Sequence, residues 1–139
     1  MVLRFILLFI ACYFCNLMEV YHIQGCLKEQ RTKKWWQSKF KNIEDKNEKA
    51  DTNGWIPCLI AHAFEWCFIS MIPLAIYGYS RFGFENEFWW YWIAVFVFNT
   101  IVHYVIDIFK THYDRITWSV DPALHCLQII IMVIVLGRF

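Results

Sequence analysis

FWWYWIAVFVFNTIVHYVIDIF, residues 88–109, decides how this chain folds. A run this long and this apolar matches the roughly 20 residues that a helix needs to cross about 30 Å of hydrocarbon. Yet it carries Asn99, His103 and Asp107 at intervals of four. On a helix that interval puts all three side chains on one face, so an otherwise apolar rod bears a polar stripe.

The rest of the sequence repeats the pattern. The chain is 59% hydrophobic, 20% aromatic and only 18% charged, too apolar for an ordinary soluble domain. Three further segments, 2–27, 56–80 and 119–137, approach membrane-spanning length. We therefore expect an all-α polytopic membrane protein, with four transmembrane helices in a small bundle forming a single membrane domain over residues 1–139. Arg4 ahead of FILLFIACYF resembles the start of a secretory signal, but no small-x-small cleavage pattern follows and the apolar character continues past Cys15. Segment 2–27 is accordingly read as the first span. The formal net charge of +1 excludes a basic nucleic-acid-binding protein, and the lipid bilayer is the expected partner, with a homo-oligomer open. Six cysteines (Cys12, Cys15, Cys26, Cys58, Cys67 and Cys126) lie in or beside the apolar segments, which suits buried free thiols better than disulfides. Cys12 and Cys15 form a C-x-x-C, but mid-helix and without the strand–helix context of a redox motif.

Residues 28–54 are the one long polar stretch, with eight Lys/Arg and five Asp/Glu. Because Lys and Arg bias a loop toward the cytoplasm, this loop is placed inside. Alternation brings 110–118 inside too and leaves both termini and the turn 81–87 outside, so that ten of thirteen basic residues are cytoplasmic. KKWWQSKFK, residues 33–41, interleaves lysines with Trp35, Trp36 and Phe40. It reads either as an interfacial segment on anionic lipid headgroups or as a connector whose aromatics cover the end of the bundle. Residues 42–54 are expected to be loosely ordered. FWWYW, residues 88–92, reads as an aromatic belt at the outer interface.

With that topology, each apolar segment carries an acid and a histidine near its cytoplasmic end: Glu19 and His22, His62 and Glu65, His103 and Asp107, Asp121 and His125. Each histidine sits about 10 Å in from the nearest polar marker at 1.5 Å per residue. Within each pair the spacing is i,i+3 or i,i+4, and Asn99 and Gln128 lengthen two of the stripes. An ionisable group in lipid costs about 2.5–3.5 kcal/mol at the bilayer centre, so these groups should face one another inside the bundle. Carboxylates and imidazoles converging from several helices suit a divalent metal such as Zn, Mn, Fe or Mg. A Glu-x-x-His pair is known from di-metal carboxylate bundles, and Glu19-x-x-His22 matches it while His62-x-x-Glu65 reverses it. The candidate metal ligands are Glu19, His22, His62, His103, Asp121 and His125, and the candidate catalytic carboxylates are Glu65 and Asp107.

Plainer roles compete. Asp121 precedes Pro122 and could serve as an N-cap. His62 and His103 could act as polar glue between helices, and His112 reads as a solvated loop residue. The outer halves of the helices carry almost no polar groups, which disfavours a channel or transporter. No Gly-rich phosphate loop or nucleophile elbow is present. The leading expectation is a metal-dependent hydrolase acting on a lipid or membrane-associated substrate at the inner leaflet. The alternative is a non-enzymatic protein, its cluster serving only to pack helices.

Four blocks, EVYHIQGCL with KKWW, LIAHAFEWCFISMIPL, FNTIVHYVIDIFK and DPALHCLQII, together resemble the small phage and bacterial membrane proteins grouped as domain of unknown function 3307. The chain departs from that pattern at Val20, where the family usually has aspartate, and at Pro122, where it usually has glutamine. The resemblance implies a four-helix protein, in this family often phage-encoded, of a bacterial inner membrane, with no established activity; the non-enzymatic alternative is then a phage membrane protein that alters the host envelope or binds a host protein. A more distant similarity, at the level of fold, is to membrane-bound proteins described as metal-dependent hydrolases.

Overall fold

The computed structural model describes residues 2–23, 25, 27–40, 54–111, 113 and 120–139. All regular structure among them is helical: α1 Val2–Met18, running into a π-helical turn Glu19–Ile23, then α2 Leu27–Gln30, α3 Lys33–Phe40, α4 Trp55–Phe82, α5 Phe88–Thr111 and α6 Val120–Leu136. Three helical segments are long and apolar enough to cross a membrane: Val2–Ile23, Trp55–Phe82 and Phe88–Thr111. The fourth, α6, has 17 residues, near the lower limit of roughly 17–25 for a span. The long α4 packs against α1, α5 and α6, while α1 and α5 each also pack against α6, so the helices form a four-membered bundle with α4 at its centre.

What faces outward identifies the solvent. Ile6, Leu7, Ile10 and Phe14 of α1, Ile60, Phe64 and Phe68 of α4, and Val97, Phe98 and Ile101 of α5 are exposed, whereas Glu19, Asn99, His103 and Asp107 are buried. A water-soluble bundle sorts these residues the other way round, and lipid as the surrounding medium removes the conflict. The apolar core, including Leu8, Trp66, Met71, Leu74, Phe88, Met132 and Leu136, fills the rest of the bundle.

The elements end where the sequence supplies a physical reason. Helix α4 stops at Gly83, whose φ of 67° needs no Cβ and whose N–H reaches the Tyr79 carbonyl at 3.0 Å. Asn86 Oδ1 then accepts the Phe88 N–H at 2.9 Å and starts α5. Segment 2–27, expected as one helix, instead ends at Ile23, because the wide π turn and then Gly25, at φ 43°, divert the chain into α2. The stretch 88–92 is an aromatic belt only in part. Phe88 is fully buried, so close to α4 that a Cβ on Gly78 would lie 1.9 Å from its ring, while Trp90 and Tyr91 face outward.

Helix α3 is folded back onto the bundle. Trp36 donates its indole N–H to the Gln30 carbonyl at 2.6 Å, and its ring covers Gly54, where a Cβ would meet it at 2.6 Å. Lys39 lies 4.5 Å over the Trp35 ring. Cys12 and Cys67 are buried free thiols, and Cys15, Cys58 and Cys126 are half-buried free thiols. His112, Cys26 and the stretch 41–53, which covers nearly all of the segment expected to be loosely ordered, lie outside the described residues.

Candidate metal centre

Five pieces of the chain converge at one end of the bundle. Helix α5 brings Asn99, His103 and Asp107, which with Phe88 are its only buried residues among those described, so in this half its inward stripe is entirely polar. Helix α4 supplies His62, Glu65 and Trp66, at i, i+3 and i+4 on one face. Helix α6 supplies Asp121, His125 and Gln128, the π turn supplies Glu19, and the junction between α2 and α3 supplies Arg31.

His103 is held from every side. Its ring stacks on Trp66 with centroids 4.2 Å apart at 11°, and on His125 at 4.7 Å and 28°. Trp66 is fixed in turn by its indole N–H on Asn16 Oδ1 at 2.6 Å. His103 Nδ1 lies 3.4 Å from Gln128 Oε1, and its Nε2 lies 3.4 Å from His62 Nε2. Asp107 Oδ2 is 3.3 Å from His62 Nε2 and 3.7 Å from His103 Nε2, and it accepts Arg31 Nη1 at 2.8 Å. On the far side of His62, Nδ1 faces Glu19 Oε1 at 3.4 Å. Toward the margin, Lys110 Nζ donates to Asp121 Oδ2, and His125 Nε2 stands 3.7 Å from Asp121 Oδ1.

Three residue triplets here bring one donor atom each within 4.8 Å of one another: His62, His103 and Asp107; Glu19, His62 and Glu65; and Asp107, Asp121 and His125. Both Glu19 oxygens, Glu65 Oε2, Asp107 Oδ1, Asp121 Oδ1 and His125 Nε2 are buried atoms with no hydrogen-bond partner among the described residues. A native interior leaves few such atoms, so their concentration in one place points to a missing donor or cation. The donor set, imidazole nitrogens and carboxylate oxygens, fits a borderline or hard divalent ion.

Seven of the eight residues expected from the sequence assemble here: Glu19, His62, Glu65, His103, Asp107, Asp121 and His125. His22 does not: its side chain is exposed, away from the cluster. The i,i+3 face-sharing expected of Glu19 and His22 holds for an α-helix, but residues 19–23 form a π turn with i→i+5 bonding, and the wider turn separates the two directions. Glu19 alone of the π turn is buried. Asp121 sits inside the first turn of α6, where the helix dipole favours an anion, and its side chain is engaged by Lys110.

The sequence reading missed Arg31, which it left among the solvated basic residues of the loop although it is 7% exposed. A signal was available. Arg31 is the one arginine among the eight basic residues of 28–54, and arginine is the residue suited to a buried carboxylate pair.

Fold and site together define a class: an all-helical, membrane-type bundle with a buried histidine–carboxylate cluster at one end. No family model, no curated protein and no solved structure matches this chain.

Proposed function

We propose that this chain is an integral membrane metalloprotein, its four helices all spanning the bilayer and its cluster binding one divalent ion near the cytoplasmic face. The observation that carries the reading is a charge count. Among the described residues the cluster contains four carboxylates, Glu19, Glu65, Asp107 and Asp121, against two cations, Arg31 and Lys110, and three histidines. With neutral imidazoles that leaves two negative charges in a site where Glu19, His103 and Asp107 are fully buried. Uncompensated buried charge is costly, and one divalent ion cancels this excess.

Ten of thirteen basic residues fall on one side of the bundle when loop 28–54 is taken as cytoplasmic and both termini as external. Together with the family resemblance, this supports the inner membrane of a bacterial host. A bound divalent ion would polarise a phosphoryl or acyl group and lower the pKa of its bound water. Glu65 and Asp121, the half-buried acids of the cluster, are where a lipid headgroup or membrane-associated substrate would approach. The reading is thus a metal-dependent hydrolase at the inner leaflet, with α3 resting its lysines on anionic headgroups.

A second reading has one observation in its favour. The Arg31–Asp107 and Lys110–Asp121 pairs tie the α2–α3 junction, α5 and α6 together with protein cations alone, as a purely structural cluster in a phage envelope protein would. Metal analysis of the full chain purified in detergent separates the two. About one equivalent of a divalent metal in the wild type, lost in His62→Ala, supports the first reading. A wild-type protein that is folded and free of stoichiometric metal overturns it.

A further inference from the structure

The cluster offers more than one place for an ion, and proton positions choose between them. Gln128 Nε2 donates to the Asn99 carbonyl at 3.4 Å, which can only accept, so the amide presents Oε1 to His103. His103 therefore carries its proton on Nδ1, pointed at that oxygen, and its Nε2 is an acceptor. Among the described residues, the groups that face this Nε2 are His62 Nε2 at 3.4 Å and Asp107 Oδ2 at 3.7 Å. Two acceptors cannot satisfy each other, so His62 supplies the hydrogen from Nε2, which also lies 3.3 Å from Asp107 Oδ2. A neutral imidazole with its proton on Nε2 has a lone pair on Nδ1. That lone pair faces Glu19 Oε1 at 3.4 Å.

We infer that the divalent ion is bound by Glu19, His62 Nδ1 and Glu65, and that Arg31 takes the place of an ion on the other side of His62. This deepens the metalloprotein reading and rests on it. Two independent features agree. Glu19, with a fully buried side chain, leaves both oxygens without a hydrogen-bond partner among the described residues, and Glu65 Oε2 is in the same condition. Asp107 already has the Arg31 guanidinium on Oδ2 at 2.8 Å, so that only its Oδ1 is without a hydrogen-bond partner among the described residues. The separation of 3.4 Å between His62 Nδ1 and Glu19 Oε1 matches the edge of a tetrahedral site, about 3.4 Å for bonds of about 2.1 Å. Glu65, half-buried and one helical turn from His62, gives the ion its approach and leaves a coordination position open toward the margin of the bundle. Asn99, Gln128 and His103 act as positioning residues, because they set which nitrogen of His62 is the ligand.

Zinc(II) binding to the full chain in detergent micelles tests the placement. Glu19→Gln and Glu65→Gln are expected to raise the dissociation constant at least about 100-fold, while His103→Gln still binds one equivalent with a change of about 10-fold, the size typical of outer partners. Gln128→Leu, which removes the acceptor for His103 Nδ1–H, is expected to bind about 10-fold more weakly. X-ray absorption of the wild-type zinc protein reads the ligands without any variant: one imidazole and two carboxylates are expected. Two imidazoles and one carboxylate, or loss of binding in His103→Gln with retention in folded Glu65→Gln, would overturn the placement while leaving a metalloprotein. Absence of zinc from the wild type, with a shared proton between Glu19 and His62 in its stead, would overturn both.

Discussion

At the residue scale the least expected side chain is Arg31. A guanidinium drawn from a polar loop onto Asp107, with 9% and 0% of the two side chains exposed, is a buried ion pair. Removing one partner of such a pair strands the other charge, typically at about 3–5 kcal/mol. Arg31→Met is therefore expected to lower the unfolding free energy by about that amount, read from denaturant unfolding in micelles. The double variant Arg31→Met/Asp107→Leu should recover much of the loss. Equal instability in single and double variants would mean that Arg31 contributes through packing and not through its charge. His103 and Asp107 were legible as an inward-facing pair because four-residue spacing on an apolar helix has one reading. Arg31 was not, since its pairing depends on where the chain beyond Gly25, at φ 43°, delivers it, which no local pattern encodes.

At the element scale, the existence of the four apolar helices followed from hydropathy and length, that of the short α2 and α3 in the polar stretch did not, and the bounds of α4, α5 and α6 differ from expectation by two residues or fewer. The first segment is the exception, and the π turn at its end is the reason. A π turn inserts itself by hydrogen-bond register and not by composition, so EVYHI reads like any helical stretch. Its effect is functional: Glu19 points inward and His22 outward. The other close-fitting element contact is at the opposite end of the bundle, where α4 meets α5 across Gly78 and Phe88. A Cβ there would lie 1.9 Å from Phe88 Cε1, so Gly78→Ala is expected to cost about 1–3 kcal/mol by overpacking and to leave metal binding unchanged. A gain in stability would show that α4 and α5 have room to separate.

At the scale of the whole molecule, apolar residues outside and polar residues inside argue for lipid as the surrounding medium, and the charge distribution argues for one orientation. A membrane-impermeant thiol reagent should reach an engineered cysteine in residues 41–53 only when the cytoplasmic face is opened. Labelling from intact cells would invert the topology and move the cluster to the other leaflet. The convergence of four chain segments on one cluster was anticipated from matched depth along four helices, and the fifth, which carries Arg31, was not. The division of that cluster into an Arg31-compensated half and a Glu19–His62–Glu65 half was not, because it depends on side-chain geometry at the level of single nitrogens.

The central claim is that the buried cluster, as formed by the described residues, is two positive charges short and that a divalent ion supplies them. A ligand that binds only the folded state stabilises it by about 2.7 kcal/mol at a hundredfold excess over Kd. Thermal unfolding of the full chain in detergent, with added zinc(II) and then with excess chelator, measures this most directly. The account predicts that Tm rises by roughly 5–10 °C with the metal and falls back with the chelator in the wild type, and that Glu19→Gln shows neither change. A wild-type Tm indifferent to both additions would contradict it.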